Sequence, residues 1–131
     1  MDNLELIEEA TVARERAIAP FSKFMVGAAL LTEDGAVFHG CNVENCTFGL
    51  TVCAERVALL SALAAGERSF TAIAVVTASE PPATPCGPCR QLLWEFCGDI
   101  DVILASTNDT SRTMKLSALF PEPFELKPED R

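Results

Sequence analysis

Cys53-Ala54-Glu55 and Pro85-Cys86-Gly87-Pro88-Cys89 supply three thiols and one carboxylate, the parts of a catalytic metal centre. Structural zinc sites are closed by four protein ligands, whereas catalytic ones use three and keep a position open. Cys86 and Cys89, three residues apart in the first turn of a helix, can face one ion together, and Cys53 at the start of another helix supplies a third sulfur. Glu55 is offset by about 200° from Cys53 around a regular helix, so it cannot ligate beside it. A carboxylate there can lean over the open position and carry protons between a water and a substrate nitrogen. Three thiolates overcompensate a divalent cation. Arg56 and Arg90, helped by the two helix N-termini, are the candidates to offset that surplus, and one or both are expected to donate to ligand sulfurs. Ordinary surface ion pairing is the alternative for each.

The elements that must position these groups follow from pattern. Leu4, Ile7, Ala10, Arg14, Ala17 and Ile18 recur at helical spacing, with Asp2 or Asn3 as cap and Pro20 as stop. Met25–Leu31 and Ala36–Cys41 flank an Asp34-Gly35 turn and predict a hairpin. Residues 42–52 read as a working loop, and Ala54–Ala65 as a helix ended by Gly66. Phe70–Thr77 predicts a strand buried on both faces. Ser79–Pro85 is a loop, Pro88–Cys97 a helix stopped by Gly98, Asp101–Ser106 a strand, and Thr113–Leu116 a short last strand. Helices interleaved with strands imply an α/β fold of three layers. Both cysteine segments then fall where loops enter helices, whose N-termini stabilise thiolates.

The chain has 131 residues, expected to form one domain over 1–131, with 49% hydrophobic and 22% charged residues, an ordinary globular balance. A net charge of −9 repels phosphate backbones, which disfavours polynucleotides and suits a small neutral substrate. No basic-then-apolar leader and no apolar run of about 20 residues is visible, so neither a membrane nor secretion is expected and the cytoplasm is the default. In that setting six cysteines point to metal or redox chemistry before disulfides.

Taken together, these segments resemble the zinc-dependent cytidine deaminases, whose Cys or His, x, Glu and Pro-Cys-x-x-Cys signature is well known. The resemblance runs through Phe21–Leu30, Gly40–Asn45, Cys53–Arg56 and Pro85–Gln91, and it narrows to the small homotetrameric enzymes of free nucleosides. It implies a three-layer α/β/α fold around a mixed sheet of about five strands, and one zinc per subunit on Cys53, Cys86 and Cys89. It also implies Glu55 as proton shuttle, Asn42 and Glu44 on the ribose hydroxyls, Phe24 beside the pyrimidine, and the Ala54 backbone on the base. Phe124 falls in the segment that packs on a neighbouring subunit's site. The implied reaction converts cytidine and 2′-deoxycytidine to uridine and 2′-deoxyuridine with release of ammonia, in pyrimidine salvage. The residues agree on the sugar, since an amide and a carboxylate in one loop suit a diol and Glu44 would repel a phosphate. Phe21 and Phe48 depart from the tyrosines usual in the family, and Phe120-Pro121 from Leu-Pro.

Other readings stand beside this one. Cys86-Gly87-Pro88-Cys89 is also the thioredoxin tetrapeptide, which would make the chain a dithiol oxidoreductase, although that leaves Cys53-Ala54-Glu55 unexplained. A structural zinc module would need a fourth ligand, and neither Cys97 nor His39 has suitable spacing. A deaminase of a modified nucleoside such as blasticidin shares the zinc signature. Cys41, Cys46 and Cys97 read as small buried packing residues, His39 as a satisfied or exposed side chain, and Trp94 as core or interface.

Overall fold

Apolar side chains alternating along three central strands give the sheet two buried faces, as a period of two requires. The structure, a computed structural model, describes residues 1–126; the last residues of the expected domain, to Arg131, lie outside the described residues. β1 (Gly27–Thr32) and β2 (Val37–Cys41) form the predicted antiparallel hairpin, turning at Gly35 with φ of 93°. β3 (Phe70–Thr77) lies antiparallel to β1 and parallel to β4 (Asp101–Ser106), and β5 (Ser111–Lys115) adds antiparallel to β4. The order β2-β1-β3-β4-β5 is the mixed five-stranded sheet expected.

Three longer helices cover it. Ala28, Leu30, Ile73, Val75, Val102 and Leu104 face α2 (Ala54–Ala64) and α3 (Gly87–Cys97), which add Ala58, Leu59, Ala62 and Leu93 to one core. On the opposite face Ala29, Ala72, Ala74, Val76, Ile103 and Ala105 pack against Leu6 and Ala10 of α1 (Asn3–Arg14). Many of those sheet residues are alanines, so α1 can settle close to the strands.

Two expectations are corrected. α1 buries Leu6, Ala10 and Ala13, while Leu4, placed on the predicted face, is 69% exposed. The helix also stops at Arg14, well before Pro20, because Ile18 leaves to pair with the 42–44 segment: its amide donates to Asn42 O at 2.9 Å and its carbonyl accepts from Glu44 N at 2.8 Å. The last strand begins at Ser111, and Leu116 opens a one-turn helix, α4 (Leu116–Leu119), instead of ending a strand.

The crossover from β3 through α3 to parallel β4 sets the end of β3 beside the start of α3, the edge where open α/β sheets form their ligand crevice. α2 begins at the same edge and sits on β2 through one close approach. A Cβ on Gly40 would lie 2.1 Å from Ala54 O and 2.5 Å from Ala58 N. Gly40 therefore sets how low the first turn of α2, with Cys53 and Glu55, rests on the sheet. Gly40→Ala must push that turn outward, and overpacking of this kind costs about 1–3 kcal/mol. A urea titration should show a lower midpoint for the variant, with reduced metal content in the folded fraction.

Candidate active site

Cys53 and Cys86 are the N-caps of α2 and α3, with extended backbones and no side-chain capping bond, so both sulfurs are free for other partners. Cys89 follows within the first turn of α3 and is fully buried. The Sγ atoms of Cys86 and Cys89 are 3.3 Å apart, those of Cys53 and Cys86 4.0 Å, and all three lie within 4.8 Å of one another. Among the described residues no fourth His, Cys, Asp or Glu joins the group. A closed four-ligand site is not built here.

The protonation pattern suits a cation. The hydrogen bond from Cys89 pulls the Cys53 thiol down to about 6, burial opposes this, and the charge of Arg56 assists. The Cys89 thiol is driven far upward, first by the same contact with Cys53 and then by burial. The Arg56 guanidinium lies beside the group, and its pKa is raised first by the Cys89 sulfur, against burial; its buried Nε has no hydrogen-bond partner among the described residues. A thiol trio with a guanidinium against it, set at two helix N-termini, fits a thiophilic divalent ion.

Arg90 is turned elsewhere. Its Nε donates to Pro85 O at 2.7 Å and its two terminal nitrogens to Thr84 Oγ1 at 3.0 Å and Leu119 O at 2.5 Å. The expected donation to sulfur is thus corrected to a brace between the loop before Cys86 and α4. The reason is local: the last carbonyl of a one-turn helix has no acceptor role within it and offers Arg90 a strong partner.

Beside the sulfurs opens a cavity of about 290 Å³ lined in part by Phe24, Asn42, Glu44, Ala54 and Glu55. Four of the five expected substrate residues thus share one space with Glu55. Glu55 is in the first turn of α2, and burial pushes its carboxyl up to about 7, with the Cys53 charge adding to the rise. The first amides of α2, Ala54's included, have no acceptor within the helix. Asn42 is buried; its Oδ1 accepts from Val26 N at 2.9 Å and its Nδ2 donates to Phe24 O at 2.7 Å, which fixes the segment that carries Phe24 into β1.

Glu44 accepts from the amides of Phe21 (2.9 Å) and Ser22 (3.2 Å) on Oε1 and from the Ser22 hydroxyl on Oε2. The hydroxyl contact is the main reason its carboxyl stays below the usual range; desolvation opposes it, and the two amides and Lys23 assist. Phe124 is the expected site residue the chain does not bring in. It is 69% exposed, away from the cavity lining, and its carbonyl accepts from Gln91 Nε2.

Ser22, Thr51 and Thr84 line the cavity and were not foreseen as site residues. For Ser22 the signal was present as a serine two before Phe24, a spacing that favours a local hydroxyl turn; its bond to Glu44 spans the fold and leaves no pattern. Phe21 and Phe48, the two departures from tyrosine, pack edge to face with centroids 5.3 Å apart. The replacements thus meet each other. Of the remaining cysteines Cys46 is exposed, against expectation, while Cys41 and Cys97 are half-buried. His39 pairs with Glu9 at 2.9 Å on the surface.

Fold and site together define an α/β protein with an open three-sulfur metal centre beside a small cavity, and comparison with known proteins gives the family. The family profile described as "Cytidine and deoxycytidylate deaminase zinc-binding region" matches residues 1–106. The cytidine deaminase of Sporosarcina psychrophila is 48% identical over 125 residues, 95% of this chain and 92% of that protein. That of Halalkalibacterium halodurans is 47% identical over 125 residues, 95% of both. The crystal structure of the Burkholderia pseudomallei cytidine deaminase superposes with a TM-score of 0.92 at 51% identity, covering 95% of this chain and all of that one. The chain belongs to the cytidine and deoxycytidylate deaminase zinc-binding family.

Loss of one sulfur leaves too few donors for a tight site, so Cys89→Ala should carry little zinc after purification. Metal quantification on parent and variant checks this; full occupancy in the variant would mean the ligands lie elsewhere.

Proposed function

We propose that this protein hydrolyses cytidine and 2′-deoxycytidine to uridine and 2′-deoxyuridine, releasing ammonia, with zinc held by Cys53, Cys86 and Cys89. The observation that carries this reading is one small cavity that brings Cys53 and Cys86 of the sulfur trio together with Glu55, Phe24, Asn42 and Glu44, and has no lysine or arginine on its lining among the described residues. The matched family takes in both cytidine and deoxycytidylate deaminases. A phosphate needs a cationic or amide cradle; here it would meet the Glu44 carboxylate. The substrate is therefore the nucleoside and not the nucleotide.

When bound, zinc supplies Lewis acidity beside an open position. The chain's groups do the rest. Glu55, within the same cavity, takes a proton from the attacking water and delivers it to ring nitrogen 3 as oxygen bonds to carbon 4. It then carries the second proton to the amino nitrogen, the carbon–nitrogen bond breaks, and ammonia leaves. Its buried position lets the carboxyl hold a proton between these steps. Phe24 walls the base, and the Ala54 backbone offers it hydrogen bonds. Asn42 keeps one amide hydrogen, and Glu44 one acceptor place, for a sugar hydroxyl. Since one hydroxyl satisfies both, ribo- and deoxyribonucleosides are both accommodated.

Assembly and setting belong to the same reading. The chain acts as one domain and forms a homotetramer, with Phe124 reaching a neighbouring subunit's site. The supporting features are exposed apolar side chains near the cavity edge and on the C-terminal segment, namely Phe21, Phe48, Leu50, Phe124 and Leu126. A cytoplasmic role in pyrimidine salvage fits six free cysteines, which a reducing compartment preserves.

Incubation with cytidine should yield uridine and ammonia in equal amounts; no turnover by zinc-loaded protein would refute the reading. Glu55→Gln should keep zinc and fold yet lose at least about 10²–10⁴ in kcat, the usual contribution of a general acid–base. Glu44→Gln should raise KM for cytidine with a smaller change in kcat, and steady-state kinetics would show the opposite split if Glu44 served the chemical step.

A further inference from the structure

The loop from Phe21 to Phe24 has no regular structure, yet it is tied at every turn. Lys23 sits at φ of 62°, unusual for a residue with a side chain, and its amide donates to Ala19 O at 3.0 Å. This bend brings the Phe24 amide 3.0 Å from Ser22 Oγ, to which it donates. The Ser22 hydroxyl has one hydrogen, and Glu44, ionised, can only accept. The direction of the chain is therefore fixed: Phe24 N–H to Ser22 Oγ, and Ser22 O–H to Glu44 Oε2. Such a chain polarises along its length, and a bond to a charged acceptor is among the stronger kinds.

The count of acceptor places gives this arrangement a consequence. A carboxylate offers about four lone-pair sites. Oε1 of Glu44 takes two amides and Oε2 takes Ser22, so a single place remains, on Oε2. Ser22 also lines the cavity, beside both residues it joins. Without its hydroxyl, Oε2 would have no partner among the described residues and would be free to swing or to recruit water.

We propose that Ser22 is a positioning residue for the sugar: by accepting from the Phe24 amide and donating to Glu44, it locks the aromatic wall to the carboxylate and reserves one Glu44 acceptor place for one sugar hydroxyl. This rests on the nucleoside reading above and deepens it, since it assigns sugar recognition to a three-residue relay. Ser22 touches no reacting atom, so its loss should act on binding and not on the chemical step.

The test compares parent, Ser22→Ala and Ser22→Thr as zinc-loaded protein on cytidine, 2′-deoxycytidine and 3′-deoxycytidine, with zinc content and thermal unfolding measured alongside. Loss of a hydrogen bond to a charged group predicts an increase of about tenfold in cytidine KM for Ser22→Ala with kcat little changed. Threonine should restore KM. The alanine penalty should vanish for whichever deoxynucleoside lacks the hydroxyl that Glu44 takes and persist for the other. Should alanine unfold the loop, the isosteric pair Ser22→Thr and Ser22→Val carries the same comparison, the hydroxyl being their only polar difference. An unchanged cytidine KM, or an equal penalty on all three nucleosides, overturns the proposal while leaving the deaminase reading intact. A parent that does not deaminate cytidine fails at the earlier step and takes both readings with it.

Discussion

Three sulfurs within 4.8 Å of one another cannot all be anionic unless a cation sits among them. The contacts within the group oppose one another: a hydrogen bond from Cys89 lowers the pKa of Cys53, and the same contact, with burial, raises that of Cys89. A divalent ion dissolves the conflict by replacing the protons, which is why affinity for metal and the protonation of thiols are linked. Much else in the fold serves that concentration of charge. Two helices begin there, Arg56 lies against the sulfurs, and Gly40 lets α2 come down far enough for Cys53 to meet the α3 pair.

The cavity holds two carboxylates with opposite surroundings. Glu55 is buried beside sulfur and its carboxyl is lifted to about 7; Glu44 lies at the open side, where the Ser22 hydroxyl and two amides hold its carboxyl low. Environment alone thus gives one residue type opposite tendencies, which suit the proposed roles of a proton carrier for Glu55 and a lasting acceptor for Glu44. The same division favours the nucleoside proposed as substrate. A neutral base can approach a group able to be protonated, and a neutral sugar can donate to an anion, whereas a phosphate is matched at neither end.

Much of this was legible in sequence because it depended on short-range pattern. Cysteines at N-cap and first-turn positions announced where the ligands would point, and the segments 70–77 and 101–106, with their apolar runs at 72–76 and 102–105, became the central parallel pair. The misreadings have a common cause. Leu4 and Ala17 fit a helical period as well as Leu6 and Ala13 do, and only the position of the sheet decides which stripe is buried. Ile18 left the helix for a partner in the 42–44 loop, an option invisible to periodicity. Arg90 stood next to a ligand cysteine in sequence, yet its neighbours in space are three oxygens, including one from a helix that no local signal predicted. Phe124 requires something beyond this chain if it is to reach a site at all.

The contrast between the two ends of the cavity follows from how each is supported. The sulfur end rests on two helix starts seated on a sheet, elements whose positions are fixed by both hydrophobic cores. The end proposed to take the sugar is loop, and loops hold their shape only as well as their hydrogen bonds do. Asn42 spends one acceptor and one donor on Val26 and Phe24, and Glu44 spends three acceptor places on Phe21 and Ser22. These polar side chains are therefore scaffold first, with only their leftover capacity facing the substrate. Under the proposed function, selectivity at this end would come from scarcity: one amide hydrogen and one acceptor place suit one hydroxyl and leave nothing to hold a larger or more highly charged group.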